Sequence, residues 1–201
     1  MAYGAGWAAS LPIGQATERA EAWSWAERRL FEVVGALATT SAHASCKIYL
    51  DACSQHHAWR SRLWTERLQS QPGQALRTAL GEVGPPTSGK SLALAPQLEE
   101  SLAVFSGIAG DVGRLAAYSR VLLARSVVGY RAWQRSCGPS ADKPVERALS
   151  FVTADVSADW EDGESLLAEI LDEGGEAAVR AASEAVAIVE GPLVAGLGQF
   201  L

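Results

Sequence analysis

The chain predicts an all-α protein, an antiparallel four-helix bundle with one long crossover and a short fifth helix at its end. Three observations predict it. Apolar residues recur at spacings of three and four through most of the chain, no segment keeps the period of two that marks a strand, and Pro and Gly gather at a few points.

Residues 16–38 carry the first helical repeat, with Trp23, Leu30, Val34 and Leu37 on one face, and the run ATTSAHAS interrupts it. A second helix spans residues 44–69, with Ile48, Tyr49, Ala52, Trp59, Leu63 and Trp64 on its apolar side, and stops before Gln71-Pro72-Gly73. So short a break makes the two an antiparallel hairpin. Residues 71–96 then hold Pro72, Gly73, Gly81, Gly84, Pro85, Pro86, Gly89 and Pro96, a density that predicts a long crossover. The third helix, residues 97–136, turns Val104, Ile108, Val112, Leu115, Leu122, Tyr130 and Trp133 to one side, with a bend expected between Gly107 and Gly113. After Cys137-Gly138-Pro139 the fourth helix covers residues 143–171, with Leu149, Val152, Val156, Trp160 and Leu167 inward. Gly174-Gly175 closes it. An amphipathic segment over residues 176–190 caps the bundle before Gly191-Pro192.

Length and composition bound what this bundle can be. The 201 residues fit one domain, residues 1–201, and a hydrophobic share of 48% argues for a packed core over disorder. A net charge of −6 without a long basic run makes nucleic acid a poor partner, and the arginines at Arg60, Arg62 and Arg67 read as a solvated helix face. No stretch approaches the about 18 apolar residues of a membrane span, and the first residues lack the pattern of a secretory leader. Cys46, Cys53 and Cys137 are odd in number with no C-x-x-C spacing, so neither a disulfide framework nor a zinc knuckle is expected, and a cytoplasmic location is. Three Lys against fourteen Arg suggest a bacterial coding bias.

Two polar residues interrupt the apolar stripes. Glu27 falls in the first-helix stripe and His56 in the second, and a turn near Ala42 sets them at one height in the hairpin. Asp159 of the fourth helix is the third member. A carboxylate beside an imidazole raises its basicity, so Glu27, His56 and Asp159 are the candidate catalytic residues. Trp23, Trp59 and Trp160 would wall a substrate pocket, with small residues such as Ser119 and Ser126 leaving room for a ligand. A hydrogen-bonded structural cluster is the competing reading, since buried charges persist mainly when paired. His57 is expected to point away from the core, His43 to lie in the interhelical turn, and Asp155 to be a solvated acid on the fourth-helix flank.

Hairpin, crossover, hairpin and a short fifth helix, together with these inward polar positions, resemble the ferritin-like superfamily over residues 16–171. The His56-His57-Ala58-Trp59 through Leu63-Trp64 helix is also similar to that of actinobacterial ferritin-like proteins, a likeness that brings no activity with it. Carboxylate di-metal members place a Glu on the first and third helices and an E-x-x-H pair on the second and fourth. The resemblance sets Glu27 at the first-helix Glu, His56 at the second-helix His and Asp159 at the fourth-helix His. Cys53, Val156 and the Ser119/Leu122 pair stand where bridging carboxylates would, so the likeness implies a decayed di-metal site with no metal and no other cofactor. The expectation is therefore a metal-independent small-molecule binder or acid/base enzyme of a bacterial, specialised-metabolite pathway. The alternatives are a metal-dependent non-haem oxidoreductase, including a single metal on Glu27, Cys53, His56 and Asp159, and a structural module forming a homodimer.

One motif points elsewhere. Residues 84–91, GPPTSGKS, match the phosphate-cradling G-x-x-x-x-G-K-S, with Lys90 for the terminal phosphates and Ser91 for magnesium. The preceding ALRTALGEV lacks strand character, Pro85 and Pro86 remove two N–H donors, and Pro96 is expected to break the helix that must follow.

Overall fold

A computed structural model describes residues 13–68, 89–138 and 142–197. Among the described residues every element is helical and no strand occurs. Helix α1 is Ile13–Thr40, α2 Ala44–Leu68, α3 Gly89–Ser106 and α4 Asp111–Ala117. A π-helical segment, Tyr118–Leu123, leads without a break into α5, Ala124–Arg135, and α6 is Lys143–Leu197. Among the described residues no helix is long and apolar enough to cross a membrane.

Side-chain pairings give the directions. Glu27 meets His57 and Phe31 meets Ser54, so α1 and α2 run antiparallel. His57 meets Tyr118 and Trp64 meets Tyr130, so α2 and the α4–α5 rod run parallel. Arg120 faces Glu164 and Gln134 faces Ser150, so that rod and the first part of α6 are antiparallel. Two parallel neighbours require a connection as long as the bundle, and α3 lies in it. The α1–α2 turn is fastened by the Asp111 carboxylate, which accepts the N–H groups of Ala42 at 2.9 Å and His43 at 2.6 Å.

The third and fifth expected helices have different bounds from the sequence reading. The third is divided: α3 ends at Ser106 and α4 starts at Asp111, because Gly110 has a φ of 81°, a conformation that a side chain resists. Non-helical Gly175, with φ 58° and ψ −151°, divides α6 into two helices where Gly174-Gly175 is expected to close the fourth, and the second of them continues past Gly191-Pro192 to Leu197. Helix α3 begins inside the expected crossover and passes through Pro96, so the expected break there does not occur. Residues 84–88 of the GPPTSGKS motif, like residues 69–83 of the crossover, lie outside the described residues.

The core is held by Leu30, Val34, Leu50, Phe105, Leu123, Leu149 and Val152 with a buried aromatic group at Trp64, Tyr118, Tyr130 and Trp133. The face that α2 buries is not its apolar stripe. Cys46, Leu50, Cys53, His57, Arg60, Trp64 and Leu68 point inward at spacings of three and four, while Ile48 and Ala52 are exposed. The helix is turned by about one residue, roughly 100°, from the expected setting.

Candidate functional site

That rotation decides the polar centre. His57, not His56, is fully buried at 0% exposure and meets Glu27, also fully buried, with Nδ1 2.5 Å from Oε2. His56 keeps a side chain 45% exposed on the outer flank of α2, where Nδ1 lies 2.7 Å from Asp159 Oδ1. The expected Glu27–His56 pair is thus two separate carboxylate–imidazole pairs, on neighbouring residues that point about 100° apart.

Arg60 joins them. It is buried, not solvated as expected, and its Nε donates to Glu27 Oε2 at 3.0 Å while Nη1 donates to Asp159 Oδ2 at 2.9 Å and to Asp155 Oδ2 at 2.5 Å. Asp155 is therefore an ion-pair partner and not a free solvated acid. Arg62 and Arg67 lie on the exposed face as expected. The second Glu27 oxygen accepts the Tyr130 hydroxyl at 2.7 Å, and that hydroxyl accepts the Trp64 indole N–H at 3.0 Å. One carboxylate from α1 thus takes three donors from α2 and α5.

The electrostatics follow from this geometry. Burial, the largest influence, pushes the Glu27 carboxyl up, but Arg60 and His57 together with the hydrogen bonds from His57 and Tyr130 outweigh it and hold it at about 2, against 4.5 ordinarily. Burial and Arg60 push His57 down, against Glu27 and Asp159, which favours the neutral ring. Its tautomer follows: Nδ1–H donates to Glu27, and Nε2 accepts the Tyr118 hydroxyl at 2.8 Å. The 3.0 Å approach of Arg60 Nη2 to His57 Nδ1 is then a contact between two donors, offset by the carboxylate that both share. Burial disfavours the Arg60 charge, yet Glu27 and Asp159 reverse this and raise it well above the usual arginine value.

A dinuclear carboxylate centre does not fit these residues. Its interior place holds the Arg60 guanidinium, and no bridging acid comes from Cys53, Ser119 or Val156. Burial, then Asp159, pushes the Cys53 thiol up to about 12, so it offers no thiolate. The described group with metal-ligand spacing is His56, Asp155 and Asp159, whose ligand atoms lie within 4.8 Å of one another. Arg60 already occupies both of those carboxylates.

The expected pocket residues separate as well. Trp59 and Trp160 are 43% and 37% exposed, and neither lines the cavity that Trp23 borders. Ser119 is buried in the π-helical segment, close to Gly163 and the Tyr49 hydroxyl. Trp23 stacks on Tyr130 with ring centroids 3.8 Å apart and borders a cavity of about 620 Å³. This cavity lies between α1, α3, the π–α5 rod and the last part of α6. Trp25, Leu30, Leu98, Leu122 and Leu193 line it, with Ser126 among the small residues that leave it open. Glu27, His57 and Arg60 do not reach it. The Trp23–Tyr130 stack separates the cavity from the cluster.

Sequence reasoning missed His57, Arg60, Tyr118 and Tyr130. The available signal was the spacing Cys46, Leu50, Cys53, His57, Arg60, Trp64, which keeps helical period through polar types. No family model, curated protein or solved structure matches the chain.

Proposed function

We propose that this chain is a small-molecule-binding bundle of the ferritin-like type, in which a buried Glu27–His57–Arg60–Asp159 network stiffens the core and the adjoining apolar cavity takes the ligand. The observation that carries the binding reading is the cavity. Its volume of about 620 Å³ falls within the about 300–1,000 Å³ usual for ligand sites, and its walls are aromatic and aliphatic with few polar groups. The ferritin-like reading is supported by helix directions, an antiparallel hairpin, a long crossover and a second antiparallel pair, with inward polar residues at mid-height.

The test is saturable binding of a neutral solvatochromic dye such as Nile red, compared between the natural chain and Ala26→Trp. Ala26 lines the cavity, and an indole there would fill much of it. A dye that binds both proteins alike, or neither, ends the binding reading.

A second reading has its own observation. Arg60 fixes Asp159 Oδ2, Asp159 Oδ1 meets His56 Nδ1, and the half-exposed ring leaves its Nε2 for a substrate, the layout of a general base. It predicts ester hydrolysis of p-nitrophenyl acetate above the rate of free imidazole, lowered in Asp159→Asn. A rate equal to that of His56→Ala refutes it.

A further inference from the structure

We infer that the occupant of the cavity is an amphiphilic anion, an apolar body carrying one carboxylate, with Arg125 as the residue that recognises the carboxylate. This rests on the binding reading above and adds the ligand's chemical class. The cavity's charged lining is unbalanced. Arg19, Arg120 and Arg125 face a single acid, Glu190, on a chain whose net charge is −6. A positive rim on an acidic protein favours anions at this mouth.

The three arginines differ in what they have left to give. Arg120 is engaged by Glu164, with Nε 3.2 Å from Oε1. Arg19 donates to the Ser136 hydroxyl at 2.8 Å, a neutral partner, and forms no ion pair among the described residues. Arg125 donates through Nη2 to Glu190 at 2.9 Å, while its Nε is buried and meets no acceptor. A buried N–H without an acceptor is unfavourable, and a guanidinium presents Nε–H and an Nη–H side by side to a carboxylate. Glu190 is half-exposed, so an incoming carboxylate can displace it or share the fork with it. The rest of the cavity is suited to an apolar body. Ala22, Ala26, Ala95, Ala124 and Gly129 clear the volume that Trp23, Leu98 and Leu122 enclose.

The experiment is isothermal titration of the full chain with decanoate and with decan-1-ol at pH 7.5, repeated on Arg125→Met and Arg125→Lys. Decanoate is expected to bind about tenfold or more tightly than the alcohol, the scale of one charge-assisted hydrogen bond. Arg125→Met should reduce that preference to about threefold or less. Arg125→Lys should keep more of it, and circular dichroism should show both variants folded. Equal binding of acid and alcohol overturns the anion inference while leaving the cavity reading in place. Failure of both to bind overturns the cavity reading itself. A preference that survives Arg125→Met overturns the assignment of Arg125.

Discussion

Replacing Arg60 by Met keeps most of the side-chain stem and removes the guanidinium that three carboxylates share. Glu27 and Asp159 are then left buried with no cation between them. Two independent routes give the magnitude. Breaking a buried ion pair by removing one partner costs about 3–5 kcal/mol. The fall of the Glu27 carboxyl from 4.5 to about 2 corresponds to about 3 kcal/mol at 1.36 kcal/mol per unit, part of it supplied by His57 and Tyr130. A loss of about 3–4 kcal/mol is therefore expected at pH 7, equivalent to roughly 6–16 °C in Tm for a chain of this size. The pH dependence has a definite sign. Because the folded value is depressed, the Glu27 contribution is fully present above about 4.5 and is lost as pH falls towards about 2. Without Arg60 the burial penalty faces less opposition and the carboxyl rises, so the gap between variant and natural chain is widest at pH 7 and narrows below pH about 4.5. Urea unfolding followed by circular dichroism at pH 7, 5 and 3.5 measures both quantities. A loss under about 1 kcal/mol at pH 7, or one that does not change with pH, refutes the reasoning.

Three further outcomes follow from other parts of the molecule. Gly175→Ala places a side chain where φ is 58° and ψ is −151°, so it should cost about 1–3 kcal/mol in urea unfolding; an unchanged midpoint would show that α6 need not kink there. Burial raises the Cys46 and Cys53 thiols to about 11 and about 12, so a thiol reagent at pH 8 should label the native chain at half-buried Cys137 alone, and rapid labelling of all three cysteines would contradict this packing. Tyr130→Phe removes a donor to Glu27 and the acceptor of the Trp64 indole; a loss of about 1–3 kcal/mol in stability should come with weaker dye binding in the cavity, and unchanged affinity would show that the two are uncoupled.

The helical class and the hairpin could be read from the sequence because they depend on period and on breaks. Trp23, Leu30, Val34 and Leu37 repeat at helical spacing, and the Ser41–His43 turn interrupts them cleanly. The facing of α2 could not be read the same way. Its apolar residues Ile48, Tyr49, Trp59 and Leu63 suggest one inward stripe, whereas the buried face carries Ser54, His57, Arg60 and Ser61. Hydrophobicity selects an inward face only when polar residues lack partners, and here the partners come from other helices. Ser24 and Ser61 exchange hydrogen bonds with each other's backbone carbonyls, and Glu27 and Asp159 receive Arg60. None of those pairings is visible along one helix, so the choice between His56 and His57 rested on a stripe that this helix does not bury.

A buried cluster of this kind is weak evidence for stability alone, because apolar residues of similar volume often serve a core as well or better. What the cluster does that leucines would not is fix orientation. Glu27 takes Arg60 and His57 on one oxygen and Tyr130 on the other, so α1, α2 and α5 can meet in only one register. Tyr130, held by Glu27 and by the Trp64 indole, then presents a ring on which Trp23 lies stacked. Trp23 is also a wall of the cavity, and Gly129 beside Tyr130 allows the indole to lie that close, since a Cβ there would approach its Cζ2 to 2.7 Å. Removing a ring from such a stack would leave that wall without its backing. In a close-packed interior a wall supported from behind keeps its place. The polar network stands behind this wall, so under the proposed binding function Glu27 would act through position, without lining the cavity itself.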